Sequence, residues 1–288
     1  MKLAIILTYH NRIKKTSKAL VSLLESLKTH INIEPFFFAC DDGSTDGTSN
    51  MIKALIPNAN IVYGNGDLYW AKGMGKALVE AEKIKPDFYL MINDDVNFYK
   101  NSIEIMFSSY EKHRNNNILA ITGATESING SYTYGGSKFD KGSGFRHKYN
   151  RSELGEKCDY ANWNCFLISY ADYNKIGRID TYYEHSYADY DYSKRISEAN
   201  GNIFVSDKFV GICERNEIKG TWQDKNLNPK ERIKLLHKKN GLPIKSQFHY
   251  YFKFHKLTCV YWILKPYLVI FKDFCINTNN KKRIIDEN

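Results

Sequence analysis

The run Phe36-Phe37-Phe38-Ala39-Cys40 gives way without a linker to Asp41-Asp42-Gly43-Ser44-Thr45-Asp46-Gly47-Thr48. Five consecutive apolar residues after Pro35 predict a strand covered on both faces, as in a parallel sheet. The acidic, turn-rich block ends that strand. A helix follows, with Asp46 as the expected N-cap and Ile52, Leu55 and Ile56 facing inward until Pro57 stops it. The same unit recurs on either side. Upstream, Leu3–Leu7 predicts a buried strand, and Lys14–His30 a helix with Leu20, Leu23, Leu24 and Leu27 on one stripe. Downstream come a short strand at Asn60–Tyr63, a helix at Lys72–Lys85 and a strand at Phe88–Ile92 that runs into Asn93-Asp94-Asp95. A helix at Ser102–Arg114 and a strand at Ile118–Thr122 complete the series. This alternation predicts an α/β fold, with a mostly parallel, Rossmann-like sheet flanked by helices.

The pattern changes after residue 125. Residues 127–160, rich in Gly, Ser, Tyr and Lys, predict loops or a small antiparallel piece. Cys165–Ser169 and Ile203–Val210 read as strands, Ala171–Ile176 and Ala188–Ala199 as helices, and the chain from Pro229 onward as helices. The expected organisation is one domain over 1–220, divided at 125/126, and a helical C-terminal extension over 221–288.

Composition narrows the class. The 288 residues contain 43% hydrophobic and 25% charged side chains, which excludes wholesale disorder, collagen and coiled coil. The net charge of +9 is unevenly placed: residues 1–220 carry 27 basic and 27 acidic side chains, residues 221–288 carry 14 and 5. A basic tail attracts phosphate-rich partners. Its sequence from Phe248 to Lys256 and on to Phe271 mixes aromatics, lysines and aliphatics, as an interfacial helix pair on an anionic membrane would, or a packing helix or a homodimer contact. Six cysteines without a CxxC pair argue against a zinc ribbon or a disulfide scaffold. The N-terminal apolar run is short and lacks a cleavage signal, and Leu257–Phe271 is broken by Lys265 and Pro266. The expected location is the cytoplasm, with peripheral attachment to the cytoplasmic face of the membrane as an option.

In a doubly wound sheet, ligands bind at the carboxyl ends of the strands. Asp41 and Asp42 follow the second strand and Asp94 and Asp95 the fourth, positions where carboxylates either cap the next turn or bind a ribose, a base or a divalent metal. Gly64-Asn65-Gly66 through Lys72-Gly73-Met74-Gly75 is a glycine-rich loop feeding a helix, able to bring backbone N–H groups near a pyrophosphate. It matches neither a dinucleotide-binding fingerprint nor a P-loop.

Taken in order, these pieces resemble the family 2 glycosyltransferases, inverting nucleotide-sugar enzymes of the GT-A fold, here of the bacterial surface-polysaccharide type. The likeness rests on Thr8-Tyr9-His10-Asn11-Arg12, the 41–48 block, the glycine loop, Asn93-Asp94-Asp95 and Asp189-x-Asp191-x-x-x-Arg195, and covers roughly residues 1–215. It implies that 1–125 binds the nucleotide and 126–220 the acceptor. Thr8 and Tyr9 would line the base pocket, and Asp42 would contact base or ribose. Asp94 would bind the ribose, with Asn65, Gly66 and Lys72 also on the donor. Asp95 would hold Mn²⁺ or Mg²⁺, with Asn93 in place of the usual first aspartate. Asp189 would take the acceptor's proton, with Asp191 the competing choice and Ala188 in place of the usual glutamate. Trp163, Glu184 and Asp191 would face the acceptor. The implied reaction moves a hexose from a UDP- or dTDP-sugar to a growing glycan on a polyprenyl diphosphate. A binding-only relative and, less favoured, a nucleic-acid-binding protein are the rival readings; no nucleic-acid partner is expected.

Overall fold

The computed structural model describes the backbone of residues 1–30, 32–141 and 147–286, with side chains outside 140–148 and 277–286. These form two compact units: Met1–Tyr183 with Ala188–Arg215, and Glu184–Tyr187 with the chain from Asn216 onward. The first holds β1 (Lys2–Tyr9), α1 (Ile13–Leu27), β2 (Glu34–Asp41), α2 (Thr48–Leu55), β3 (Asn60–Tyr63), α3 (Tyr69–Glu82), β4 (Phe88–Ile92), β5 (Asn97–Phe98) and α4 (Ser102–His113). It continues with β6 (Leu119–Glu126), β7 (Gly136–Lys141), β8 (His147–Arg151), β9 (Lys157–Cys158), β10 (Tyr160–Ala161), β11 (Cys165–Ser169), α5 (Tyr170–Ile176), α6 (Ala188–Glu198) and β12 (Asn202–Ile212).

The main sheet runs β3-β2-β1-β4-β11-β6-β12-β5, with β9 also on β12. Strands β3, β2, β1 and β4 are parallel, as are β6 and β12. Strand β11 lies between β4 and β6 and is antiparallel to both, so the sheet is mixed. The small antiparallel piece is the sheet β10-β7-β8.

Residue alternation explains which side of the sheet each helix covers. Leu3, Ile5, Leu7 and Tyr9 of β1 share one core cluster with Leu20 and Leu23 of α1 and Ile103 and Met106 of α4. Thr8 belongs to the other face, against α3, where Gly73 lets the helix close in: a Cβ at Gly73 would stand 2.3 Å from Thr8 Oγ1. Two local expectations need correction. The N-cap position of α2 is held by Gly47, at φ 87°, and not by Asp46, which from one residue further out accepts from the first backbone N–H groups of both α2 (Thr48, 3.0 Å) and α1 (Ile13, 2.9 Å). It thereby ties the starts of α1 and α2 together. Helix α3 begins at Tyr69, three residues before the expected Lys72, with Tyr69 itself left-handed at φ 58°.

The second unit holds α7 (Pro229–Leu236), α8 (Ile244–Phe254) and α9 (Cys259–Asp286). The ring of Tyr251 on α8 stacks on Trp262 of α9, and Arg232 of α7 pairs with Asp273 of α9 at 3.0 Å. Among the described residues, no helix is long and apolar enough to cross a membrane.

Gly73→Ala tests the α3–β1 contact. The added methyl should cost about 1–3 kcal/mol of stability, read as a lowered urea midpoint; an unchanged midpoint would mean the interface has room that the close approach to Thr8 denies.

Candidate active site

Two adjacent carboxylates at the end of β4 organise the site. Asp94 is 3% exposed, Asp95 partly so. Arg12, just beyond β1, spans both: Nη1 lies 2.8 Å from Asp94 Oδ1 and Nη2 2.6 Å from Asp95 Oδ2. Thr16 on α1 donates to the other oxygen of Asp94 at 3.0 Å. Parallel pairing of β1 with β4 brings these groups together. Burial pushes the Asp94 carboxyl up to about 6, with Arg12 and Thr16 pulling the other way. Burial works against charge on Arg12, but Asp94 and Asp95 hold its pKa above the ordinary value. On the far side of Asp95, Cys213 lies with its sulfur 3.7 Å from Oδ1 and 3.5 Å from the Asn164 amide. Burial and then the nearby Asp95 push this thiol up to about 12, so it is neutral.

The glycine loop is built on Asp42. Its carboxylate accepts from the backbone N–H groups of Gly66, Leu68 and Tyr69, each at 2.9 Å. Asp42, expected to contact base or ribose, is 5% exposed, and its carboxylate holds the loop. Tyr9, also expected in the base pocket, is buried, with its hydroxyl paired to Ser49 at 2.7 Å. Thr8 remains half-buried at the strand end, donating to the Cys40 carbonyl at 3.1 Å. Asn65 and Gly66 are exposed and Lys72 is half-buried. Trp70, which no motif singled out, donates its indole N–H to Asn93 Oδ1 at 2.9 Å and meets Trp163 edge-on at 5.7 Å. Arg12 was also missed as a site residue; an arginine three residues beyond a buried strand, opposite two aspartates, is the signal that could have found it.

Asn162-Trp163-Asn164 links this end to the start of α6. The Asn164 carbonyl accepts from the Asn93 N–H at 3.1 Å, and the Asn162 side chain bonds the Asp189 carboxylate. Between them Trp163, 1% exposed, stacks on Phe166 and meets Tyr192 edge-on. This residue, expected at the acceptor, is packed among aromatic side chains of the core. Asp191, also expected there, is fully buried and paired with Arg195 at 2.8 Å. Glu184 belongs to the second unit, where it faces Lys239 at 3.5 Å. Asp189 is different: half-buried at the first turn of α6, with its carboxyl pushed up to about 6 by burial, against the Tyr190 N–H and the Asn162 side chain.

The donor set can be tested against a divalent metal. Among the described residues, no group of three His, Cys, Asp or Glu side chains is arranged to hold one. Asn93 has its oxygen on Trp70, and Cys213 is a neutral thiol. Of Asn93, Asp94, Asp95 and Cys213, Asp95 offers a partly exposed carboxylate, the kind of oxygen ligand that hard cations such as Mg²⁺ or Mn²⁺ take.

The model of the family described as Glycosyl transferase family 2 matches residues 4–177. No curated protein sequence matches the chain. Among solved structures, TarS 1-349 of S. aureus is 15% identical with a TM-score of 0.52, covering 89% of this chain and 73% of its own. The mannosyltransferase PcManGT of Pyrobaculum calidifontis, solved with GDP-Man and Mn²⁺, is 11% identical with a TM-score of 0.55, covering 98% and 80%. GalNAc-T7, solved with UDP, GalNAc and Mn²⁺, is 14% identical with a TM-score of 0.54; 75% of this chain spans 44% of that one. At these identities the likeness is one of fold, and that fold is GT-A. Arg12→Gln should cost about 1–3 kcal/mol, because buried Asp94 loses its counter-charge. Urea unfolding of the double variant Arg12→Gln/Asp94→Asn should recover part of that loss; simple additivity would mean the two do not depend on each other.

Proposed function

The chain belongs to glycosyl transferase family 2, and from that premise we propose that it transfers a hexose, with inversion, from a UDP- or dTDP-sugar to a hydroxyl of a growing surface glycan. The acceptor in this proposal is carried on a polyprenyl diphosphate. Solved relatives of the same fold hold UDP or GDP-Man, which supports a nucleotide-sugar donor.

The observation that carries the reading is Asp189. It sits half-buried at the start of α6, and the groups acting on it besides burial are two backbone N–H groups, its own and that of Tyr190, and the Asn162 amide, with no cation among them. A carboxylate whose pKa is raised to about 6 is still ionised at neutral pH and is a stronger base than an ordinary one. Asp189 would take the proton of the acceptor hydroxyl as its oxygen attacks the anomeric carbon. The bond from that carbon to the diphosphate oxygen breaks on the opposite face, and the nucleoside diphosphate leaves. Thr8, Asn65, Gly66 and Lys72 would contact the donor around the pinned loop. Mn²⁺ or Mg²⁺, held by Asp95 and diphosphate oxygens, would supply positive charge at the leaving group. Arg12 lies on the same carboxylates and would neutralise Asp94 whatever else binds.

Three measurements test this. A thermal-shift screen with UDP, dTDP and GDP, each with and without Mn²⁺, should give one nucleotide class a metal-enhanced shift; a ligand at 100 times its Kd adds about 2.7 kcal/mol. No shift with any nucleotide would remove the donor site. Asp189→Asn should leave donor binding intact and lower kcat about 10²–10⁴-fold. Because the base works only when ionised, the wild-type rate should fall as pH drops through about 6. A rate that holds well below that pH, or near-normal turnover of Asp189→Asn, would move the base elsewhere. Nucleotide binding without transfer to any acceptor would leave a binding-only relative.

A further inference from the structure

The second unit carries an apolar surface that its own packing does not use. On α8, Tyr250 and Tyr251 face inward, while Phe248 (52% exposed) and Phe252 (54%) stack on each other at the surface, one turn apart and in line with exposed Ile244. On α9, Cys259, Trp262 and Ile270 are buried, while Val260 (70% exposed), Leu264, Leu268 and Phe271 (66%) form a second outward stripe, preceded by Leu257. An amphipathic helix normally turns its polar side to water. Here both helices are apolar on the buried side and again on the exposed one.

The charges beside these stripes have one sign. Between 244 and 276 the basic residues are Lys245, Lys253, Lys256, Lys265 and Lys272, and the sole acid is Asp273. Asp273 is buried and paired with Arg232 and Lys225. The exposed face of this segment therefore carries lysines and no carboxylate. A second copy docked on it symmetrically would set lysines against lysines. An anionic bilayer complements both features, taking the aromatic and aliphatic side chains at the acyl boundary while the lysines reach phosphates. We propose that the exposed faces of α8 and α9 dock the protein on an anionic membrane surface, with the helices lying in the interface. The inference is independent of the donor site.

The test is co-sedimentation of the full chain with vesicles of phosphatidylcholine alone and of phosphatidylcholine with phosphatidylglycerol, at low and high salt. Binding should require the anionic lipid and weaken with salt. Phe248→Ser/Phe252→Ser should weaken it about tenfold or more, from the apolar area lost. Lys245→Gln, Lys253→Gln and Lys256→Gln should each weaken it about fivefold. All five sites are exposed, so urea midpoints should not move; the lysine variants keep the test valid if the phenylalanine pair lowers them. Failure of the wild type to bind anionic vesicles, or binding by both variant sets as tight as that of the wild type, would overturn the proposal. So would self-association in sedimentation velocity that the phenylalanine pair abolishes, which would assign the face to a second copy. Retention of an acidic protein without vesicle binding would assign it to a protein partner.

Discussion

A buried carboxylate beside a partly exposed one is the constraint around which the first unit is arranged. Asp94 cannot be left at the end of β4 without a counter-charge, and the polar groups near it come from different parts of the chain. Arg12 reaches it from the turn after β1 and Thr16 from α1. Parallel pairing of β1 with β4 sets the distance over which Arg12 must reach. The same guanidinium also holds Asp95, so the position of the more exposed carboxylate follows from the needs of the buried one.

The neighbouring turns are coupled by similar means. Asn11, left-handed at φ 49°, accepts from the Thr45 N–H at 2.7 Å, and its own N–H donates to Ser44. Asp46 bonds the first amides of two helices. These links join the β1–α1 and β2–α2 turns into one hydrogen-bonded edge at the ends of the strands. They explain why an acidic, turn-rich block is compatible with an ordered structure: its carboxylates replace the missing partners of helix N-termini and loop amides.

Periodicity was enough to locate the helices and most strands, because runs such as Leu3–Leu7 and Phe88–Ile92 are buried on both faces whatever their partners. It was silent on pairing, so the antiparallel insertion of β11 between β4 and β6 could not be read from Cys165–Ser169. For the site, sequence identified residue types at strand ends but not the direction in which each side chain turns. Asp42 and Asp95 both follow strands, yet one is committed to three amides and the other is partly open. Asp189 and Asp191, two residues apart on α6, fall on different sides, which spacing alone could not tell apart. Trp70 escaped notice because an aromatic at a helix start is usually a packing residue, and its link to Asn93 is visible only in three dimensions.

The way Asp42 grips residues 66–69 has an evolutionary consequence. One carboxylate fixes the path of the loop through backbone amides, which every residue but proline possesses. Asn65 and Asp67 project to the surface from that fixed path. The side chains at 65 and 67 can therefore be exchanged without having to rebuild the loop's shape. Changes in loop length face a much steeper barrier, since they would break three bonds to the same carboxylate at once.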